Sequence, residues 1–139
     1  MEEGRVIALD VGDKRIGIAV SDPTGTIAYP LETYKRKGSG KDVAYIIELA
    51  KKMKTVKIVV GLPLLLSGKE GTQARKVKEF VKELESAGLE IELVDERYST
   101  EDADSILRGK GQNWKERKSK RDAVAAAIIL DAYLKEKKE

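Results

Sequence analysis

A short apolar run near the middle of the chain does more than any other feature to limit the fold. Val56–Val60 reads Val-Lys-Ile-Val-Val and runs straight into Gly61-Leu62-Pro63. A β-rich run this apolar suits a strand buried on both faces, as in the interior of a sheet. Helical stripes flank it. Val43, Ile46, Ile47 and Ala50 predict a helix over about 40–54, and Ala74, Val77, Phe80, Val81 and Leu84 predict a second that stops before Gly88. A strand between two helices points to βα crossovers, and so to an α/β fold.

The N-terminal third adds strands of another kind. Arg5–Asp10 and Arg15–Val20 are β-rich runs around Gly12-Asp13, a dipeptide suited to a tight hairpin turn. Thr26–Thr33 predicts a third strand, and Pro30, which has no N–H to give a ladder, puts it at an edge. Glu90–Leu93 alternates like a half-exposed strand. Ser99 or Thr100 can cap a helix running to about Leu107, and Asp122–Leu134 predicts a last helix, apolar almost all round. The sum is a mixed sheet with helices packed on its faces. At 139 residues, one domain spanning 1–139 is expected.

Composition narrows the chemistry. With no Cys and no His, disulfides, thiolate zinc sites, cysteine nucleophiles, imidazole bases and Ser-His-Asp triads are all excluded. An enzyme built from this chain relies on carboxylates, hydroxyls, Lys, Arg and a hard metal bound through oxygen. The longest apolar stretch, Ile58–Leu66 interrupted by Gly61 and Pro63, is too short to span a bilayer, and Met-Glu-Glu does not open a secretory signal. A cytoplasmic protein with no membrane partner is the expectation. A charged fraction of 37% with few Asn, Gln and Met is thermophile-like.

Three carboxylates stand out. Asp10 ends an apolar strand and shares a face with Val6 and Ala8; an Asp there can also serve turn N–H groups. Glu96, in Asp95-Glu96-Arg97, follows the last strand, where open α/β sheets place their sites; a surface ion pair with Arg97 is the plainer reading. Asp122 is placed in the first turn of the last helix, above Ala125, Ala126 and Ile129; there it also suits the helix's positive end. Three carboxylates from two strand ends and a helix suit Mg²⁺ or Mn²⁺, and such ions support phosphodiester cleavage. Basic segments suggest the partner. Lys35-Arg36-Lys37 and Lys41 flank a glycine-bearing loop. From Arg108 to Arg121 seven basic residues, Lys118, Lys120 and Arg121 among them, stand against one Glu with Trp114 in their midst. Cations contact phosphates and an aromatic ring stacks on bases, so this flank suits nucleic acid; a solvated charge run is the alternative.

Four motifs together resemble the YqgF (RuvX) family. They are Asp10-Val-Gly-Asp-Lys-Arg-Ile-Gly-Ile-Ala-Val-Ser-Asp22; Gly61-Leu-Pro63 with Gly68 and Gly71; Asp95-Glu-Arg97 with Ser99-Thr100; and Asp122 before Ala125-Ala126 and Ile129-Leu130. The resemblance runs nearly end to end. It implies an RNase H-like fold, a five-stranded mixed sheet with helices on both faces. It also implies a metal-dependent nuclease in which Asp10, Glu96 and Asp122 are both the catalytic residues and the ligands of Mg²⁺ or Mn²⁺. Lys14 and Arg15 match the family's basic pair and are expected to touch phosphate, with ordinary hairpin charges as the alternative, while Arg97 orients Glu96, contacts substrate or forms a structural ion pair. The chain departs from the family at Leu64-Leu65-Leu66, where members usually carry a polar Asn near Leu65. So apolar a loop is expected to pack on protein, a second subunit included.

The resemblance implies 5′-end maturation of pre-16S rRNA as the leading activity, with resolution of four-way Holliday junction DNA as the alternative. Symmetric junction cutting would need a homodimer. A nucleic-acid-binding protein with little nuclease activity is a second class, and an actin-like sugar kinase or ATPase a third, since Asp-x-Gly before a hairpin also suits phosphate binding.

Overall fold

The computed structural model describes residues 4–63, 67–95 and 114–137, the last with side chains from Arg121 onward. β1 (Arg5–Val11) and β2 (Arg15–Ser21) form the expected hairpin, paired from Ile7 with Val20 to Val11 with Ile16. The turn is closed by the Gly12 N–H donating to the Arg15 carbonyl at 2.8 Å. β3 (Ala28–Lys35) runs antiparallel to β2. After α1 (Ser39–Lys52), β4 (Thr55–Leu62) lies parallel to β1; after α2 (Thr72–Ser86), β5 (Ile91–Asp95) lies parallel to β4. The strand order is β3-β2-β1-β4-β5, a five-stranded mixed sheet. α3 (Trp114–Lys137) completes the described elements.

Side-chain size decides how near each layer comes. One face presents large residues, Ile7, Leu9, Ile16, Ile18, Ile58 and Val60, packed with Ile46 and Leu49 of α1 and Val77, Phe80 and Leu84 of α2. The other presents Val6, Ala8, Ala19 and Val59 to Ala126, Ile129, Leu130 and Tyr133 of α3. Alanines on both sides of this second layer let α3 lie close over β1 and β2. Helices therefore cover both faces, as expected.

Several boundaries differ from expectation, each for a local reason. β3 sits at the sheet edge as Pro30 requires, but it starts at Ala28 rather than Thr26. The carboxylate of Asp22 accepts the N–H groups of Thr26 and Ile27 at 2.7 and 2.9 Å, holding both residues in the turn. Those bonds, with the Thr24 hydroxyl, keep the Asp22 carboxyl well below the usual range, Ile27 contributing most. The Val56–Val60 run is buried only from Ile58 on; Val56 is exposed, and Lys57 pairs with Glu92 at 3.1 Å and Glu90 at 3.6 Å. The middle strand is β1, with β4 beside it.

The largest correction concerns α3. The apolar stripe begins at Asp122, but the helix begins at Trp114 and runs for 24 residues. Lys, Arg and Glu between 115 and 121 are good helix formers even without an apolar face, so the helix continues back past the packed part. Asp122 therefore lies in the third turn, away from the positive end of the helix. The helix expected between Ser99 and Leu107 and the Leu64–Leu66 loop lie outside the described residues.

Candidate active site

The centre of the site is a glycine. Gly17 of β2 stands directly opposite Asp10 of β1, which puts their Cα atoms about 5 Å apart. A Cβ built on Gly17 would lie 1.9 Å from the carbonyl oxygen of Asp122 and 2.3 Å from its carbonyl carbon. No side chain fits there, so the backbone of α3 rests on the β2 backbone itself. Asp10 shares the face of Val6 and Ala8, which α3 covers. The hairpin register sets Asp10 beside Gly17, and the missing Cβ lets the Asp122 backbone rest on the same glycine, so two residues 112 positions apart in the chain both neighbour Gly17.

Both carboxylates reach the surface. Asp10 is half-buried, and the Asp122 side chain keeps 23% of its surface exposed. Asp122 Oδ2 accepts a hydrogen bond from Arg15 Nε at 2.8 Å. Arg15, expected to touch phosphate, is thus paired with a predicted metal ligand, and Lys14 beside it is exposed on the turn. Arg121 is half-buried, and its Nε has no hydrogen-bond partner among the described residues. Glu96 and Arg97 follow Asp95, the last residue of β5, and lie outside the described residues, as do the side chains of Lys118 and Lys120. Among the described residues no group of three or more acidic side chains is arranged to hold a metal ion; Asp10 and Asp122 are two of the three predicted ligands.

The turn that carries Lys14 and Arg15 is held from several sides. Arg36 donates through Nη1 to the Gly12 carbonyl and through Nε to Asp42 Oδ2, both at 2.9 Å, and its backbone N–H donates to the Lys14 carbonyl. Its guanidinium lies 4.9 Å from the centre of the Phe80 ring. From α2, Gln73 Nε2 reaches the Val11 carbonyl at 3.3 Å and Lys76 pairs with Asp13 at 3.3 Å. This corrects one reading of the basic Lys35-Arg36-Lys37 segment: Arg36 is a structural cation, while Lys35, Lys37 and Lys41 remain exposed.

Asp42 is the residue the sequence concealed most completely. It is fully buried and accepts from Tyr34 Oη, Arg36 Nε and the Lys37 N–H, each at 2.9 Å. Burial alone would raise its pKa, but the Lys37 N–H, the Arg36 guanidinium and the Tyr34 hydroxyl outweigh burial and hold it below the usual value. Burial, with Asp42 next, raises Tyr34. Nothing in an Asp three residues into a helix signals this. Gly17 went unread too, although a glycine inside a strand is a signal of close backbone approach.

Comparison with known proteins agrees with this architecture. The profile of the RuvX family, described as Holliday junction resolvase, matches residues 4–136. A relative from Fusobacterium nucleatum, provisionally named a pre-16S rRNA nuclease, is 50% identical over 137 residues, covering 96% of this chain and 99% of its own. One from a Sulfurihydrogenibium species, with the same provisional name, is 46% identical over 134 residues, covering 94% and 89%. Among solved structures, Thermus thermophilus RuvC in complex with a Holliday junction substrate superposes with a TM-score of 0.58 at 17% identity, covering 96% of each chain. That likeness carries the RNase H-like fold. With half its residues shared with one relative and its length matched almost throughout, the chain belongs to the RuvX (YqgF) family.

Proposed function

We propose that this protein is a metal-dependent endonuclease that cleaves phosphodiester bonds in structured nucleic acid, with the 5′ end of pre-16S rRNA as its substrate. The observation that supports the reading is that Asp10 and the backbone of Asp122 both neighbour Gly17. Two carboxylates at the open end of one sheet face, in a chain without Cys or His, fit a hard divalent ion such as Mg²⁺ or Mn²⁺. Asp10 and Asp122 would hold the ion, with Glu96 as third ligand after β5. The ion would supply positive charge against the anionic transition state of phosphodiester cleavage. Lys14 on the hairpin turn lies on the same end and contacts backbone phosphate; Arg97, Lys118, Lys120 and Arg121 are the further residues assigned to substrate binding. The rRNA substrate follows the names of the relatives that share 50% and 46% of their aligned residues.

Four-way DNA is the second reading, favoured by the description of the family profile. It would require two copies, because symmetric cutting of a junction needs two sites.

The test is cleavage of a 5′-extended 16S rRNA fragment and of a four-way DNA junction, each with and without Mn²⁺, by the wild type and Asp10→Asn. Metal-dependent cutting of the RNA, lost in the variant, is the expected result. Cutting of the junction alone would establish the second reading. Equal cutting by wild type and variant, or none on either substrate, would overturn the carboxylate mechanism and leave a binding protein.

A further inference from the structure

This inference rests on the metal-dependent reading above and concerns what occupies Asp122 before an ion arrives. Arg15 and Asp122 are the two residues expected to hold different partners, phosphate and metal, yet they hold each other at 2.8 Å. The backbone beneath Arg15 is fixed: its carbonyl accepts the Gly12 N–H, and Arg36 grips the turn at the Gly12 and Lys14 carbonyls. The Arg15 side chain is not enclosed, with 48% of its surface exposed. A half-exposed ion pair on a long side chain is weak and readily exchanged.

We propose that Arg15 is a resident counter-ion for Asp122, displaced by the divalent ion and thereby released to the substrate phosphate. A dication and a guanidinium on one carboxylate repel each other, so each weakens the other's hold. Once displaced, the guanidinium remains within a side chain's reach of the site and presents the planar fork that suits phosphate oxygens. Metal binding and nucleic-acid binding are then positively coupled through one side chain, and thermodynamic linkage makes the coupling reciprocal. Arg15 thus contacts substrate only once metal is loaded, which ties substrate engagement to metal loading.

The experiment measures Mn²⁺ affinity by electron paramagnetic resonance, without turnover, for wild type, Arg15→Gln, Arg15→Lys and Asp10→Asn, with and without a short RNA duplex. Arg15→Gln is expected to bind Mn²⁺ about two- to five-fold more tightly than wild type in the absence of RNA, the range a weak exposed pair allows. Arg15→Lys keeps the charge and should stay close to wild type. Added RNA should tighten Mn²⁺ binding in wild type and do so less in Arg15→Gln. If Arg15→Gln binds Mn²⁺ equally or more weakly while Asp10→Asn abolishes binding, the counter-ion proposal fails and the metal site stands. If wild type binds no more Mn²⁺ than Asp10→Asn, the metal site and the proposal fall together.

Discussion

Adding one methyl group at Gly17 tests whether the closeness of α3 to β2 builds the site. The Cβ of Gly17→Ala would lie 1.9 Å from the Asp122 carbonyl oxygen, 2.3 Å from its carbonyl carbon and 3.0 Å from the Ala123 nitrogen. All three are backbone atoms of a helix whose next turns are locked by Ala126, Ile129 and Leu130, so no side chain can swing aside. Reaching ordinary contact requires α3 and β2 to part by about 1.5 Å. Gly17 does not need a left-handed backbone, so the cost is steric alone. Overpacking a core costs about 1–3 kcal/mol, and backbone against backbone belongs at the upper end. The same shift moves Asp122 away from Asp10, and misplacement of about 1 Å in a catalytic constellation can cost roughly 100-fold in rate. Urea denaturation and nuclease rate on one preparation measure both effects. A variant within about 0.5 kcal/mol of wild type, with unchanged metal-dependent rate, would refute the argument that Gly17 sets the separation of the two carboxylates.

Three further outcomes follow from buried polar contacts. Ser21→Ala should cost about 1–3 kcal/mol in urea denaturation, because the buried Ser21 hydroxyl accepts the Val6 N–H at 2.8 Å where the strand ladder ends. Stability should fall in acid through Asp42: its folded pKa lies below the ordinary 3.8, so its contribution is complete above that value and is lost as pH drops through the folded pKa. Asp42→Asn should flatten that limb of a stability–pH profile. Arg36→Met should destabilise by about 3–5 kcal/mol by leaving Asp42 buried without its cation. Because the two residues share one network, adding Asp42→Asn should cost much less than the sum of the single changes, which a double-mutant cycle measures.

The fold was legible in most places where side-chain periodicity reports burial, the exposed start of β4 at Val56 being an exception. The hairpin, the edge position of β3, α1 and α2 could all be read from alternation, Pro30 and helical stripes, because packing on the sheet enforces those patterns. The pattern was silent where another force decided. A charged side chain, Asp22, delayed β3, and helix propensity without an apolar stripe carried α3 back to Trp114. Asp10 and Asp122 were recognisable as carboxylates at the ends of apolar rows, but the close approach of the Asp122 backbone to the strand that faces Asp10 depends on the absence of a side chain at Gly17. The partners of Arg36 were hidden because a lysine-and-arginine run looks alike whether its charges meet phosphate or a buried aspartate 6 residues away.

Whether Asp10 and Asp122 form one metal-binding centre is tested by a crystal structure with Mn²⁺ located by its anomalous scattering. The expected result is an ion at the end of β1 directly coordinated by carboxylate oxygens of both Asp10 and Asp122, and lost in Asp10→Asn. An ion bound elsewhere, or the Arg15–Asp122 pair intact with no ion beside Asp10 at saturating Mn²⁺, would contradict it.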